Sequence, residues 1–349
     1  MAPLLRRSQD RAVQAPEVSV LVPAFNAAAT LELALRSIAR QSFESWECVL
    51  VDDGSTDATG SIAEAHARRD PRLRVARTEH RGIVAALNDG IALCRGRFVA
   101  RFDADDLMHR HRLALQYAGL LFDAALVGLG CHVRVFPRAN LSEGYRAYES
   151  WLNSLRNSRE VARDRYVECP LAHPTLFLHK EILLQYGYRD VPWPEDYDLV
   201  LRLLCAGEQL GVVPERLLGW RDSPTRLSRS STVYVPARFV QCKAEFLARF
   251  WLAARSNYVL WGYGDTGRAL RKALAVYGKH PSHVVELHPR RLGQRLLGAP
   301  VIPPEALPAL APRPERIVVS VAGFESRREI RGRLETMGFA EQKDFVCTA

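Results

Sequence analysis

Four short apolar runs, separated by stretches of helical length, constrain this chain more than any other feature of its sequence. Val18-Ser-Val-Leu-Val22 stops at Pro23, and Thr30 then opens a helical pattern through Leu31, Leu35 and Ile38, with Thr30 as its N-cap. Cys48-Val-Leu-Val51 ends in Asp52-Asp53-Gly54-Ser55, Asp57 starts the next helix, and Leu73 to Ala76 returns as a strand. The loop Glu79-His-Arg-Gly82 leads into a helix from Ile83 to Leu93, and Phe98 to Phe102 follows a Gly turn as a fourth buried strand. Strands alternating with helices of this length build βαβ units with right-handed crossovers, and so an α/β fold with a parallel sheet.

Beyond Asp106 the pattern loosens. Met108 to Phe122 reads as a helix and Leu126 to Val135 as one or two strands. Tyr145 to Arg165 is a charge-rich helical excursion that either shapes an acceptor site or is solvated helix. Pro174-Thr-Leu-Phe-Leu178 reads as a strand, Pro194 sits at the start of a helix, and another helix covers Arg238 to Ala254. A second strand–helix unit begins at Tyr258-Val-Leu-Trp261 and continues through Gly262-Tyr-Gly-Asp-Thr-Gly267, with Val284-Val285 ending at Glu286. The strand Ile317 to Val321 and the helix Ser326 to Met337 complete it.

A chain of 349 residues suits two domains, at roughly 100–200 residues each. Its net charge of +9 implies an anionic partner such as phosphate, nucleotide or membrane surface. No basic run is interleaved with aromatics, so nucleic acid is not an expected partner. Residues 255–349 hold 15 Lys and Arg against 9 Asp and Glu, which makes the C-terminal part the more basic one. The seven cysteines form no Cys-x-x-Cys pair and sit mostly in apolar segments, which argues for reduced core thiols rather than zinc ligands. Residues Met1 to Pro16 show no signal-peptide pattern, and no run of about 20 apolar residues occurs. The expected location is the cytoplasm, with contact at the inner face of the membrane and homo-oligomerisation both left open.

Asp103, Asp105 and Asp106 stand where the fourth strand leaves the sheet. In extended backbone Asp103 and Asp105 share a face, and two carboxylates that close repel unless a cation lies between them. Hard oxygen ligands suit Mg²⁺ or Mn²⁺. The plainer alternative is a solvated Asp-rich turn before a helix.

Five ordered motifs weigh against that alternative: Val22-Pro-Ala-Phe-Asn26, Val51-Asp-Asp-Gly-Ser-Thr-Asp57, Arg81-Gly-Ile-Val-Ala-Ala-Leu-Asn88, Phe102-Asp-Ala-Asp-Asp106 and Pro194-Glu-Asp-Tyr-Asp-Leu199. Together they resemble the family 2 inverting glycosyltransferases of the GT-A fold, over about residues 16–245. The resemblance implies a nucleotide-diphosphate-sugar donor, most often a UDP-sugar, and a divalent metal, Mn²⁺ or Mg²⁺. It also implies inverting transfer to the hydroxyl of a carbohydrate or lipid-linked acceptor, in polysaccharide or glycoconjugate assembly. Donor contacts fall on Pro23, Ala24, Asn26, Asp53, Arg81 and Asp103, with Asp53 accepting from a pyrimidine N–H. Arg81 could equally be a solvated surface arginine. Metal contacts fall on Asp103 and Asp105, and the catalytic base on Asp196, with Glu195 capping or orienting. Relatives often carry a His after the Tyr/Trp-Arg pair, whereas Trp220-Arg221 is followed here by Asp222. Either the metal has fewer protein ligands, or Asp222 substitutes, or the metal dependence is unusual. The Gln/Arg-x-x-Arg-Trp motif of processive synthases is missing, which favours single additions.

Gly262-x-Gly-x-x-Gly267 follows a strand, opens a helix and precedes Glu286 at the end of the next strand. It resembles the small Rossmann-like domains appended to some sugar-modifying enzymes. Gly262, Gly264, Gly267 and Glu286 would form a nucleotide or anion site, or the unit is architectural. The division expected is a disordered tail (1–15), a GT-A domain (16–245), a linker or connecting helix end (246–256) and a Rossmann-like domain (257–349). A nucleotide-sugar-binding regulatory or scaffold protein with a decayed transferase site is the competing reading.

Overall fold

The first four strands and their helices run β1 (Val18–Ala24), α1 (Ala28–Ala39), β2 (Trp46–Asp53), α2 (Thr59–Ala67), β3 (Leu73–Thr78), α3 (Ile83–Leu93) and β4 (Phe98–Arg101). The structure is a computed structural model that describes residues 15–139, 141–224, 226–310 and 316–349, so nearly all of the expected N-terminal tail lies outside the described residues. β1 pairs in parallel with both β2 and β4, and β2 with β3. Helix α1 begins after Ala27 rather than at Thr30, whose hydroxyl instead reaches the carbonyl of Ala104 at 3.1 Å. A contact distant in sequence outweighs the local cap there.

The middle of the chain extends the sheet. It contains β5 (Leu107–Met108), α4 (Arg112–Phe122), β6 (Leu126–Phe136), α5 (Glu143–Leu152), α6 (Ser158–Arg163), β7 (Phe177–His179) and α7 (Lys180–Tyr186). Then come α8 (Glu195–Cys205), β8 (Gln209–Arg221), α9 (Leu227–Ser230) and α10 (Pro236–Phe246). The eight-stranded order is β3-β2-β1-β4-β7-β6-β8-β5. Met108, expected in a helix, is drawn into β5 by antiparallel pairing with Leu218 of β8. Pro174 falls in a short 3-10 turn, His173–Thr175, ahead of β7. β8 escaped sequence reading because Glu215 and Arg216 are exposed in mid-strand, beside an irregularity in its register with β6.

The last part runs β9 (Asn257–Trp261), α11 (Asp265–Ala275), β10 (His280–Val285), β11 (Arg295–Leu296), β12 (Ala299–Ile302), β13 (Ile317–Val319), α12 (Phe324–Thr336) and β14 (Phe345–Cys347). Its sheet has the order β11-β12-β10-β9-β13-β14, parallel except at β11.

The two sheets share apolar packing. A π-helical turn, Leu247–Trp251, continues α10, and Leu247, Trp251 and Leu252 are buried in one cluster with Leu260, Leu274 and Val318 of the second sheet unit and Leu199 and Leu203 of α8. Buried Lys243 donates to the carbonyls of Val167 (2.8 Å) and Thr348 (3.0 Å), and Arg331 joins Asp164 to Glu341. All seven cysteines are free, six of them buried. Among the described residues no helix is long and apolar enough to cross a membrane.

Trp251 is 5% exposed, with the Arg316 guanidinium 4.1 Å from its ring centroid. Replacing it by Ala should cost about 3–5 kcal/mol of stability. Denaturant unfolding followed by circular dichroism is expected to give a single shifted transition. A wild-type-like midpoint, or loss of the second sheet alone, would contradict the shared core.

Candidate active site

In a sheet ordered 3-2-1-4, the strand order reverses between β1 and β4, and ligands of such sheets bind beyond the carboxyl ends of the strands at that point. β4 ends at Arg101, which is buried and meets Asp103 at 2.6 Å, while Arg226 approaches the other Asp103 oxygen at 3.7 Å. Oxygens of Asp103, Asp105 and Asp106 all lie within 4.8 Å of one another. Asp106 is fully buried; its Oδ1 accepts the Arg221 N–H at 2.7 Å, and its Oδ2 has no hydrogen-bond partner among the described residues. Burial, and then the Asp103 charge, pushes the Asp105 carboxyl up to about 6. The same causes, with Asp105 added, raise Asp106 well above the usual range. Three crowded carboxylates with one orphaned buried oxygen are a donor set that fits Mg²⁺ or Mn²⁺.

A cavity of 550 Å³ is lined by Asp103, Asp105, Glu195 and Asp196 together. Glu195 and Asp196 are the first residues of α8, after Pro194. Asp196 is half-buried; its Oδ1 accepts the Tyr197 N–H at 2.7 Å, and no hydrogen bond to its other oxygen occurs among the described residues. Burial, reinforced by the neighbouring Glu195 charge, lifts the Asp196 carboxyl to about 7. Glu195 is more enclosed: it accepts from the Tyr234 hydroxyl at 2.5 Å and faces His173 Nδ1 at 3.7 Å. His173 Nε2 in turn lies 2.8 Å from the Tyr188 hydroxyl. Burial, with Arg101 adding to it, drives His173 well below its ordinary range and keeps the ring neutral. Glu195 is thereby held in place while Asp196 keeps an open oxygen.

The third acid of α8 points elsewhere in chemical terms. Asp198 is fully buried and accepts from Arg189 (2.5 Å), Arg202 (2.7 Å) and the Trp193 indole (3.1 Å), so its carboxyl stays below the usual range despite burial. Asp222 is bound on both oxygens by Arg229 at 2.8 Å. The third carboxylate beside Asp103 and Asp105 is therefore Asp106. Of the charge-rich excursion, α5 brings Tyr145 and Tyr148 to the cavity wall with Trp220, so that stretch is more than solvated helix.

Asp103 aside, the expected donor residues gather apart from this cavity, at the ends of β1 and β2 and in the loop before α3. Pro23 and Ala24 close β1. Asn26, at φ +50°, accepts from the Thr56 N–H and donates its own N–H to the Ser55 hydroxyl, both at 2.9 Å. Asp53 accepts the N–H groups of Arg81 and Gly82 at 2.9 Å each and lies 2.9 Å from His80 Nδ1. It clamps the loop before α3, a role the sequence did not reveal. The Arg81 side chain pairs with Asp89 at the surface. Half-exposed Phe25 stacks on the His80 ring, centroids 4.0 Å apart. Gly262, Gly264 and Glu286 line a second cavity, and Gly267 lies beneath their turn.

Sequence reasoning missed Arg101, Arg226 and Tyr234. Arg101 had a usable signal, since it precedes Asp103 by two residues at a strand end. Arg226 and Tyr234 arrive from a Ser/Arg-rich loop whose pattern says nothing of its destination.

Comparison with known proteins places the chain among glycosyltransferases. Residues 19–187 match the family described as Glycosyl transferase family 2. The uncharacterized glycosyltransferase EpsJ of Bacillus subtilis (strain 168) is 28% identical over 256 residues, covering 71% of this chain and 72% of EpsJ. EpsE, from the same organism, is 30% identical over 225 residues, covering 63% of this chain and 78% of EpsE. Among solved structures, S. aureus TarS 1–349 in complex with UDP superposes with a TM-score of 0.53 at 19% identity, over 74% of this chain and 70% of that chain, a likeness of fold.

Asp198→Asn is expected to act on stability rather than on the site. Removing a buried carboxylate from two arginines should cost about 3 kcal/mol, the low end of the range because Arg189 is half exposed. Urea denaturation measures it. Ligand binding per folded molecule should not change.

Proposed function

The chain belongs to glycosyl transferase family 2 and has the GT-A fold, and from that premise we propose a non-processive inverting transferase. It moves a sugar from a nucleotide-diphosphate donor, a UDP-sugar being the first to test, onto a hydroxyl of a carbohydrate or lipid-linked acceptor in polysaccharide or glycoconjugate assembly. The observation that carries the proposal is the single cavity in which Asp196, with a free oxygen, shares walls with Asp103 and Asp105.

In this reading Asp196 takes the proton of the attacking hydroxyl. Its raised affinity for a proton suits that task, because a carboxyl near 7 is a stronger base than an ordinary one and is still ionised in a useful fraction at neutral pH. Glu195, fixed by Tyr234 and flanked by His173, sets the position of the α8 N-terminus and so of Asp196. Tyr145, Tyr148 and Trp220 offer apolar faces to a sugar ring, with Arg226 and Arg229 as polar contacts between them. Asp103, Asp105 and Asp106 would hold a divalent cation, which when bound supplies positive charge to the diphosphate of the leaving nucleotide. Phe25 and His80, at the ends of β1 and in the Asp53-clamped loop, present a flat stack on the side where the base of the nucleotide would lie. Screening nucleotide-sugars for metal-dependent hydrolysis and thermal shift identifies the donor.

Asp196→Asn keeps size and hydrogen bonding but cannot take a proton. It should leave donor affinity nearly intact while lowering kcat by ~10²–10⁴. In the wild type, a base with its carboxyl near 7 is lost to protonation below that point, so kcat should fall about tenfold per pH unit on the acid side. The variant should lack that limb. A wild-type pH profile flat down to pH 5 would remove Asp196 as the base.

Asp105→Ala should abolish transfer and weaken Mn²⁺-dependent nucleotide binding, because it removes an oxygen ligand from the acidic cluster. Full-rate transfer in excess chelator would overturn the metal assignment.

A further inference from the structure

The second sheet unit carries a cavity that the transferase reading does not use. Its strands run β12-β10-β9-β13-β14, so the order reverses between β9 and β13. A cavity of 1040 Å³ opens at that reversal, lined by Gly262 after β9, Glu286 after β10 and Ser320 after β13. Two helices of full length begin on it: α11 after Gly264 and α12 after Gly323, neither with a side-chain cap on its first N–H groups. Unsatisfied N–H groups at two helix starts give the cavity positive potential.

Three further features shape it for a ligand. Gly262 holds φ +94°, and a side chain at Gly267 would put its Cβ 2.1 Å from the Gly262 carbonyl, so the turn and the helix are packed as closely as backbone allows. At Gly264 the opposite holds: a Cβ there would meet nothing within 4 Å. That opening leaves room for a group to approach the backbone. Ser320 lines the cavity and is only 2% exposed, and no hydrogen bond of its hydroxyl occurs among the described residues. Glu286 uses one oxygen to hold the Tyr263 N–H (2.9 Å) and the Arg291 guanidinium (3.1 Å), and its other oxygen has no partner among the described residues.

We propose that this cavity is a second ligand site, for a nucleoside diphosphate group, distinct from the transferase cavity. The diphosphate lies against the Gly262–Gly267 turn and the two helix starts, with Ser320 donating to it, and the ribose diol hydrogen-bonds the free oxygen of Glu286. Arg290 lines the same cavity and adds positive charge. A free nucleotide, a sugar nucleotide and a dinucleotide all carry this group, and they are the sources to distinguish.

The test is titration calorimetry on the full chain in excess chelator with pyrophosphate, ADP, UDP-glucose and NAD⁺, comparing wild type with Gly264→Asp and Glu286→Gln. Gly264→Asp adds a carboxylate to the phosphate cradle where there is room for it, so the fold should keep its melting temperature. Binding of pyrophosphate and of the nucleotides should weaken roughly tenfold or more, as a like charge set against phosphate demands. Sugar transfer should be unchanged. Glu286→Gln should weaken the nucleotides and spare pyrophosphate, and the tightest of the three nucleotides names the source. Equal binding by wild type and Gly264→Asp, for every probe, overturns the site. An equal loss of pyrophosphate and nucleotides in Glu286→Gln overturns the nucleoside assignment.

Discussion

The guanidinium of Arg101 is the charge around which the transferase cavity is built. Five carboxylates, Asp103, Asp105, Asp106, Glu195 and Asp196, come from the end of β4 and the start of α8 into one small region, and such crowding is unfavourable without positive charge inside it. Arg101 is buried, touches Asp103, and lowers the proton affinity of Asp105, Glu195 and Asp196 while opposing protonation of His173. Arg226 adds a second positive charge from a loop far along the chain. Even so, Asp105, Asp106 and Asp196 stay above the ordinary carboxyl range, because burial and mutual repulsion exceed what two guanidinium groups offset. That remaining imbalance leaves two kinds of acid side chain: a three-carboxylate cluster whose charge a cation would offset, and a carboxyl on α8, Asp196, with raised proton affinity.

The elements legible in the sequence are those whose pattern is local. β1 to β4 and their helices follow from apolar runs and helical spacing, and the Asp103–Asp105 pair and the Glu195–Asp196 pair could be placed at strand and helix ends for the same reason. What could not be read is what pairs at a distance. β5 exists because Met108 meets Leu218, and Asp53 is spent on the Arg81–Gly82 backbone because the loop folds back over it. Asp106 reads as one more acid in a turn until its buried, unpaired oxygen is seen beside the other two. Tyr234 lies 39 residues from Glu195, and nothing in its local sequence announces the contact.

Helix α10 belongs to both halves of the molecule. Pro236 and Phe239 face the transferase cavity, the body of the helix packs on α8 and α11, and the turn that continues it supplies core residues to the second sheet. The C-terminal unit is thus less a passenger than a buttress: it stands behind the wall against which an acceptor would rest. Lineages that swapped or shed it would have to rebuild that wall at the same moment.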